Sequence, residues 1–334
     1  MNLDFTHRQT AHCESGTIAN LMLNRNFDIS ESLAFGIGSG LFFAYVPFVK
    51  VNFLPITAFR IFPWGIYKKA ASRLNVKIKT MRFRNQQKAM NAIDELLDQG
   101  IPIGAQVGVF WLPYFPPALR FHFNTHLIVI CGKNGDEYTI SDPVGEFPVT
   151  CHRKDLMKAR FALGFSAPKG RISYLLNDPD PSLIPKAIVT GMKETCKNML
   201  NIPYSMVGVK GIRSLAKRLK DWPEKYGQEK ANSILGQIVR MQEEIGTGGA
   251  GFRYIYADFL QEAAGILKKD ELFKLSERLT ETGDLWRDFA VGAARNCKRR
   301  ATENESYPHL AEILLECADR EEGIFTDLKK QITR

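Results

Sequence analysis

The chain has 334 residues, of which 45% are hydrophobic and 24% charged, the composition of an ordinary globular protein long enough for two domains or one large one. Its 45 lysines and arginines against 36 acidic residues leave a formal net charge of +9. Basic and acidic residues are mixed along most of the sequence and follow no DNA- or RNA-binding signature, so nucleic acid is not the expected partner; an acidic protein, or simply a solvated surface, fits the excess.

The opening MNLDFTHRQTAHCESG contains no apolar h-region, so no signal peptide is expected. Cys13 then leads into ESGTIANLMLNR, whose small and apolar residues predict a helix beginning beside the cysteine. The most apolar stretch, LAFGIGSGLFFAYVPFVKVNFLPI, is cut by Gly36, Gly38, Gly40, Pro47 and Lys50, so it lacks the roughly 20 uninterrupted apolar residues of a membrane-spanning helix. It predicts buried strands and turns. AFGIGSG within it lacks the Lys-Ser/Thr ending of a phosphate loop, and close backbone packing or a pocket wall is expected instead. QQKAMNAIDELLDQG predicts a helix stopped at Gly100, and IPIGAQVGVF a strand.

HLIVICGKNGDEYTISDP reads as a β-hairpin. A three-residue loop of Lys133, Asn134 and Gly135 would pair Gly132 with Asp136 and set His126 opposite Asp142 on one face of the sheet. A two-residue loop would put them on opposite faces. LLNDPDPSLIP, with three prolines and two aspartates, is the expected linker. Beyond it, KAIVTGMKETCKNML, GIRSLAKRLKDW, QEKANSILGQIVRMQEEIG, FRYIYADFLQEAAGIL, DELFKLSERLTETGDLWRDFAVGAARNCKRR and HLAEILLECADREEGIFTDLKKQI mostly carry apolar residues at helical spacing. The expected layout is an α+β domain over residues 1–178 with an antiparallel sheet, then an all-helical domain over 185–334.

The six cysteines, at 13, 131, 151, 196, 297 and 317, form no CxxC pair and no zinc-finger spacing, so reduced thiols in a cytoplasmic protein are expected. His122 and His126 lie four apart, but on a strand they would sit about 13 Å from one another, and no metal site is expected. Cys13 at a helix start feels the partial positive charge of unsatisfied N–H groups, which favours a thiolate. An imidazole from His126, oriented by Asp142, would complete a nucleophile–base–orienter set. The alternatives are an inert buried thiol at Cys13, a backbone-bonded strand-end His126 and a turn-forming Asp142 before Pro143.

HCESGTIANLM with HLIVICGKNGDEYTISDPVG resembles the papain-like peptidase domain that trims double-glycine leaders in bacteriocin exporters. Over almost the whole chain, HCESGTIANLM and ISESLAFGIGSGLFFAY, followed by a helical half with FRYIYADFLQEAA and LWRDF, resemble the butirosin biosynthesis protein H family. That resemblance implies a papain-like cysteine domain in front of a helical one. It also implies acyl transfer from an acyl-carrier-protein thioester to an amine, as the namesake does on an aminoglycoside. It further implies Cys13 as acyl acceptor, His126 as general base and acid, and Asp142 as orienter.

Papain-like enzymes usually place a glutamine before the nucleophile as an oxyanion donor; here Gln9, four residues ahead, and His12, adjacent, are the candidates. The expected donor is a pantetheine-linked acyl group, on a carrier protein or on CoA, used as substrate with no bound cofactor. The acceptor is a small amine or alcohol, and neither nucleic acid nor a membrane is a partner. The helical half is expected to cap or complete the substrate cleft. Arg253, after the glycine cluster of IGTGGAGFRYIY, is a candidate for binding a phosphate or carboxylate, or else a surface arginine paired with a glutamate. NCKRR and SLAKRLK would dock an acidic carrier protein or form solvated helix faces. The rivals to acyl transfer are a cysteine hydrolase (peptidase, amidase or thioesterase) of the same fold, and a catalytically inactive binding protein.

Overall fold

The structure, a computed structural model, describes residues 3–51, 53–302 and 305–333. Its first elements in chain order are α1 (Cys13–Leu23), α2 (Glu31–Ile37), β1 (Leu41–Val51), β2 (Leu54–Arg60), α3 (Gly65–Arg73) and β3 (Ile78–Met81). There follow α4 (Gln86–Asp98), β4 (Ile103–Val107), β5 (His126–Asn134), β6 (Glu137–Ser141), β7 (Val149–His152), α5 (Arg153–Arg160) and β8 (Ile172–Leu175). The remainder is helical: α6 (Ile184–Cys196), α7 (Gly208–Leu219), α8 (Trp222–Tyr226), α9 (Gln228–Val239), α10 (Arg253–Leu267), α11 (Glu271–Cys297) and α12 (Tyr307–Gln331). No described helix is long and apolar enough to cross a membrane.

The chain divides into two compact units, one holding the residues up to Ala34 with Pro63–Ile184, the other Phe35–Phe62 with the residues from Pro185 onward. Within LLNDPDPSLIP, then, one unit gives way to the other. The front domain expected over 1–178 is nevertheless discontinuous, because residues 35–62 belong to the helical unit. The reason is aromatic packing. Phe43 and Phe59, on β1 and β2, lie 5.4 Å apart and meet Trp286 of α11 at 5.9 and 5.6 Å, while Tyr45 meets Trp222 at 6.0 Å. Phe35 stacks on Phe252 at 5.2 Å. A Cβ at Gly36 would lie 2.1 Å from the Phe259 ring, so AFGIGSG serves close packing. The start of this apolar run is helix α2 rather than strand, a correction to the expectation of strands and turns throughout.

In the first unit six strands form one antiparallel sheet in the order β3-β8-β4-β5-β6-β7. Ile103, Ala105, Val107, Ile128, Ile130, Ile140 and Ile172 of the sheet form a buried cluster with Met90, Ile93 and Leu97 of α4 and Leu156 and Ala159 of α5. α4 ends as its sequence predicts. Gly100 has φ +74°, and the Gly100 and Ile101 N–H groups donate to the Leu97 and Leu96 carbonyls, a Schellman motif that satisfies the last turn.

The β5–β6 hairpin differs from expectation in a way that matters for the site. Asn134 pairs with Glu137, so the loop has two residues, Gly135 and Asp136, with Gly135 at φ +61° as a II′ turn requires. Such a loop alone would set His126 and Asp142 on opposite faces. Between Ile130 and Gly132 the register slips by one residue, leaving Cys131 as a bulge, and Ile130 pairs with Ile140. The slip restores the parity, and His126 and Asp142 share a face after all.

Candidate active site

Cys13 is the first residue of α1, where a backbone N–H has no carbonyl acceptor four residues back within the helix. His12 is the N-cap, with extended backbone at φ −121° and ψ 126°, and its Nδ1 accepts the Ser15 N–H at 3.4 Å and contacts Ser15 Oγ at 2.8 Å. The turn before the cysteine is held by Glu31. Its carboxylate takes the Ala11 and His12 N–H groups at 2.8 and 2.6 Å, and the Ser15 hydroxyl at 3.2 Å. Glu14 points elsewhere: it is fully buried, and its Oε1 accepts the Tyr67 N–H in the first turn of α3 at 3.1 Å. The glycine of HCESG has a steric cause. A Cβ at Gly16 would lie 2.0 Å from Thr10 Oγ1 and 2.7 Å from Pro143 Cβ, because the Asp142-Pro143 turn packs on this face of α1. The Thr10 N–H donates to the Pro143 carbonyl at 2.6 Å, tying the approach to α1 to that turn.

His126 begins β5 opposite Val107 of β4, and Asp142 immediately follows β6. The strand end is anchored by Gln106, whose Nε2 donates to the Asn124 carbonyl at 2.7 Å. His126 Nε2 donates to Asp142 Oδ2 at 2.7 Å, with the two residues 5% and 1% exposed. Tyr114 Oη donates to the same oxygen at 2.9 Å. The other carboxylate oxygen, Oδ1, accepts the Val144 N–H at 3.2 Å, and the Gly145 N–H closes the turn onto the Asp142 carbonyl at 2.9 Å. Turn-former and partner of histidine are thus one residue with two oxygens. His7 clasps the turn from outside, its Nδ1 2.7 Å from Ser141 Oγ and its Nε2 donating to the Gly145 carbonyl at 3.0 Å.

The Cys13 thiol lies close enough to His126 to add to its proton affinity, and the ring nitrogen not engaged by Asp142 is Nδ1. Burial, the largest single influence on His126, disfavours its charged form. The Asp142 charge and hydrogen bond, with smaller contributions from Cys13, outweigh burial and raise the imidazole to about 10. At neutral pH the ring therefore carries its proton beside the thiol. A thiol at a helix N-terminus, a protonated imidazole and a buried carboxylate in sequence order Cys–His–Asp have the chemistry that covalent catalysis at carbonyl carbon requires.

The family model described as butirosin biosynthesis protein H, N-terminal, matches residues 12–143, a span that starts one residue before Cys13 and ends one after Asp142. A domain of unknown function, DUF4872, matches residues 154–328. The chain belongs to the butirosin biosynthesis protein H family. Its first unit has an α+β fold built on one antiparallel sheet, and the DUF4872 match extends from α5 to α12. A solved structure from Bacillus anthracis described as a C39-like peptidase is 12% identical, covering 54% of this chain and 100% of that one with a TM-score of 0.38. No curated protein matches the chain.

Of the residues that sequence reasoning singled out in this member of the butirosin H family, Cys13, His126 and Asp142 come together. Gln9 is exposed, unlike the buried Cys13, which removes it as an oxyanion donor within the site. His12 is buried beside Cys13, but its Nδ1 is engaged with Ser15 as the helix cap. Arg253 requires a correction. It is fully buried, its guanidinium bonds both oxygens of Glu321 at 2.8 and 3.1 Å and the Gly251 carbonyl at 2.8 Å, and Trp286 Nε1 shares Glu321 at 2.7 Å. It is a core ion pair of the helical unit, not a ligand-binding side chain. His122 stacks on Phe110 with ring centroids 4.3 Å apart. Tyr114, His7 and Glu31 went unseen because each acts across the fold, and a tyrosine in WLPYFPP carries no periodic or motif signal.

Proposed function

We propose that this protein is an acyltransferase that works through an acyl-enzyme on Cys13. A pantetheine-linked acyl thioester, on a carrier protein or on CoA, is attacked by the Cys13 thiolate. The tetrahedral intermediate collapses, and the departing pantetheine thiolate takes the proton held on His126. An amine or alcohol then attacks the Cys13 thioester while His126 removes its proton, and the Cys13 thiolate leaves as the acylated product forms. Asp142 keeps Nε2 protonated and Nδ1 facing the sulfur. The Cys13 N–H, at the positive end of α1, is one donor to the oxyanion. The reaction belongs to biosynthesis in the cytoplasm, where all six thiols stay reduced.

The observation that carries this reading is the buried Cys13–His126–Asp142 set inside a butirosin H family chain. Burial of Cys13 at 6% exposure favours transfer to a bound acceptor over capture by bulk water. The test is intact-protein mass spectrometry after incubation with a panel of acyl-pantetheine thioesters. An acyl adduct on wild type and none on Cys13→Ala is expected, with discharge accelerated by an added amine. An adduct that water discharges as fast with or without amines would make the protein a hydrolase. No adduct from any donor, with Cys13 no more reactive than the other thiols, would make it a binding protein.

A further inference from the structure

The 25 residues from Cys196 to Lys220 carry Lys197, Lys210, Arg213, Lys217, Arg218 and Lys220 and not one aspartate or glutamate. Much of the chain's +9 excess is therefore concentrated around α7. On that helix Val209, Ile212, Leu215, Ala216 and Leu219 are buried, while Lys210, Arg213, Ser214 and Lys217 recur at three- and four-residue spacing on the opposite side. Like charges at such spacing destabilise a helix, so burying the apolar face does not explain the stripe.

The stripe lines a groove of about 450 Å³ formed by Ser205, Lys210, Arg213, Ser214, Lys217 and Arg218. Arg213 is held by Asp319 and Glu322 of α12 at 2.6 and 2.7 Å, which fixes its guanidinium at the rim. Arg218 Nε donates to Ser214 Oγ at 3.4 Å. Lys210, Lys217 and Arg218 form no ion pair among the described residues. The lining offers ammonium, guanidinium and hydroxyl donors with no aromatic ring and no carboxylate. Such a surface matches the several acceptor oxygens of a phosphate, and its size falls within the range of small-molecule sites.

We propose that the α7 groove binds a phosphorylated small molecule of about nucleotide size, with a phosphate or diphosphate seated among Lys210, Lys217, Arg218 and Ser214. The site is independent of the Cys13 reaction. Cys13→Ala should bind the ligand as wild type does, so the failure of either reading leaves the other standing. The probe is inorganic pyrophosphate, titrated into the isotope-labelled full chain and followed by amide shifts and calorimetry. Saturable shifts over residues 205–218 are expected, with affinity falling between about 50 mM and about 300 mM salt. Lys210→Ala/Lys217→Ala should weaken binding about tenfold. Its thermal midpoint should stay level or rise, because it relieves like-charge repulsion. Adenosine diphosphate should bind at least as tightly as pyrophosphate. The absence of saturable shifts up to about 10 mM pyrophosphate, a weaker interaction than any specific site supplies, would overturn the proposal. So would unchanged affinity in the double variant, or a hexaglutamate peptide binding as well as pyrophosphate, which would mark the groove as a surface for protein carboxylates.

Discussion

The oxygens of Asp142 have different partners, Val144 N–H on Oδ1 and both His126 Nε2 and Tyr114 Oη on Oδ2, and this division can be tested one atom at a time. Asp142→Asn keeps the turn acceptor but loses the charge that holds the imidazole up. His126 should titrate well below its wild-type value of about 10 by NMR, and acylation of Cys13 should slow by roughly 10³-fold or more, since the orienting charge and tautomer are both lost. Tyr114→Phe removes one donor from the same oxygen while leaving the ion pair. A stability loss of about 1–3 kcal/mol in denaturant titration is expected, with His126 titrating higher, because the carboxylate charge is less dispersed. A titration unmoved by Tyr114→Phe would show that the tyrosine does not act through Asp142. The pH dependence of folding has a definite sign. His126 is raised from about 6.5 in the unfolded chain to about 10, so its stabilisation is fully present below about 6.5 and lost as pH rises through about 10. Wild type should therefore lose more stability than His126→Gln between these pH values.

Among the elements, the β5–β6 hairpin shows how a site depends on a local irregularity. Its two-residue turn sets one phase, and the bulge at Cys131 resets it before the strand reaches His126. Deleting Cys131 would remove the bulge and turn His126 to the other face. The chain should keep its β-sheet signature by circular dichroism yet lose Cys13 acylation; an acylation rate near wild type would show that the bulge does not set the histidine. The helices read from periodicity, including α4, α6, α7 and α9 to α12, form because each buries one apolar stripe. α2 is hidden by Gly36, which reflects packing against Phe259 rather than a turn, and by Gly38, where the helix gives way to a turn.

At the scale of the whole molecule, the insertion of residues 35–62 into the helical unit means that neither unit is one continuous segment. A chain ended at Ile184 would leave Phe43, Tyr45 and Phe59 without Trp222 and Trp286, and it should be recovered as aggregates. The same truncation with residues 35–62 replaced by a short flexible linker should be soluble and monomeric by size-exclusion chromatography. If both versions behaved alike, the hairpin would not depend on the helical unit.

By itself the sequence singled out Cys13, His126 and Asp142, the mixed α+β character of the front part and the helical character of the rest, and the stopping point of α4. These rest on residue type, short spacing and periodicity, which are local properties of a chain. Only the tertiary structure decided that Asp142 also bonds Tyr114, that Arg253 is neutralised by Glu321 in a core, and that residues 35–62 pack with helices more than 150 residues later. Each depends on a partner brought near by folding. A buried charge or aromatic ring is stable only with that partner present, and no spacing along the chain announces it.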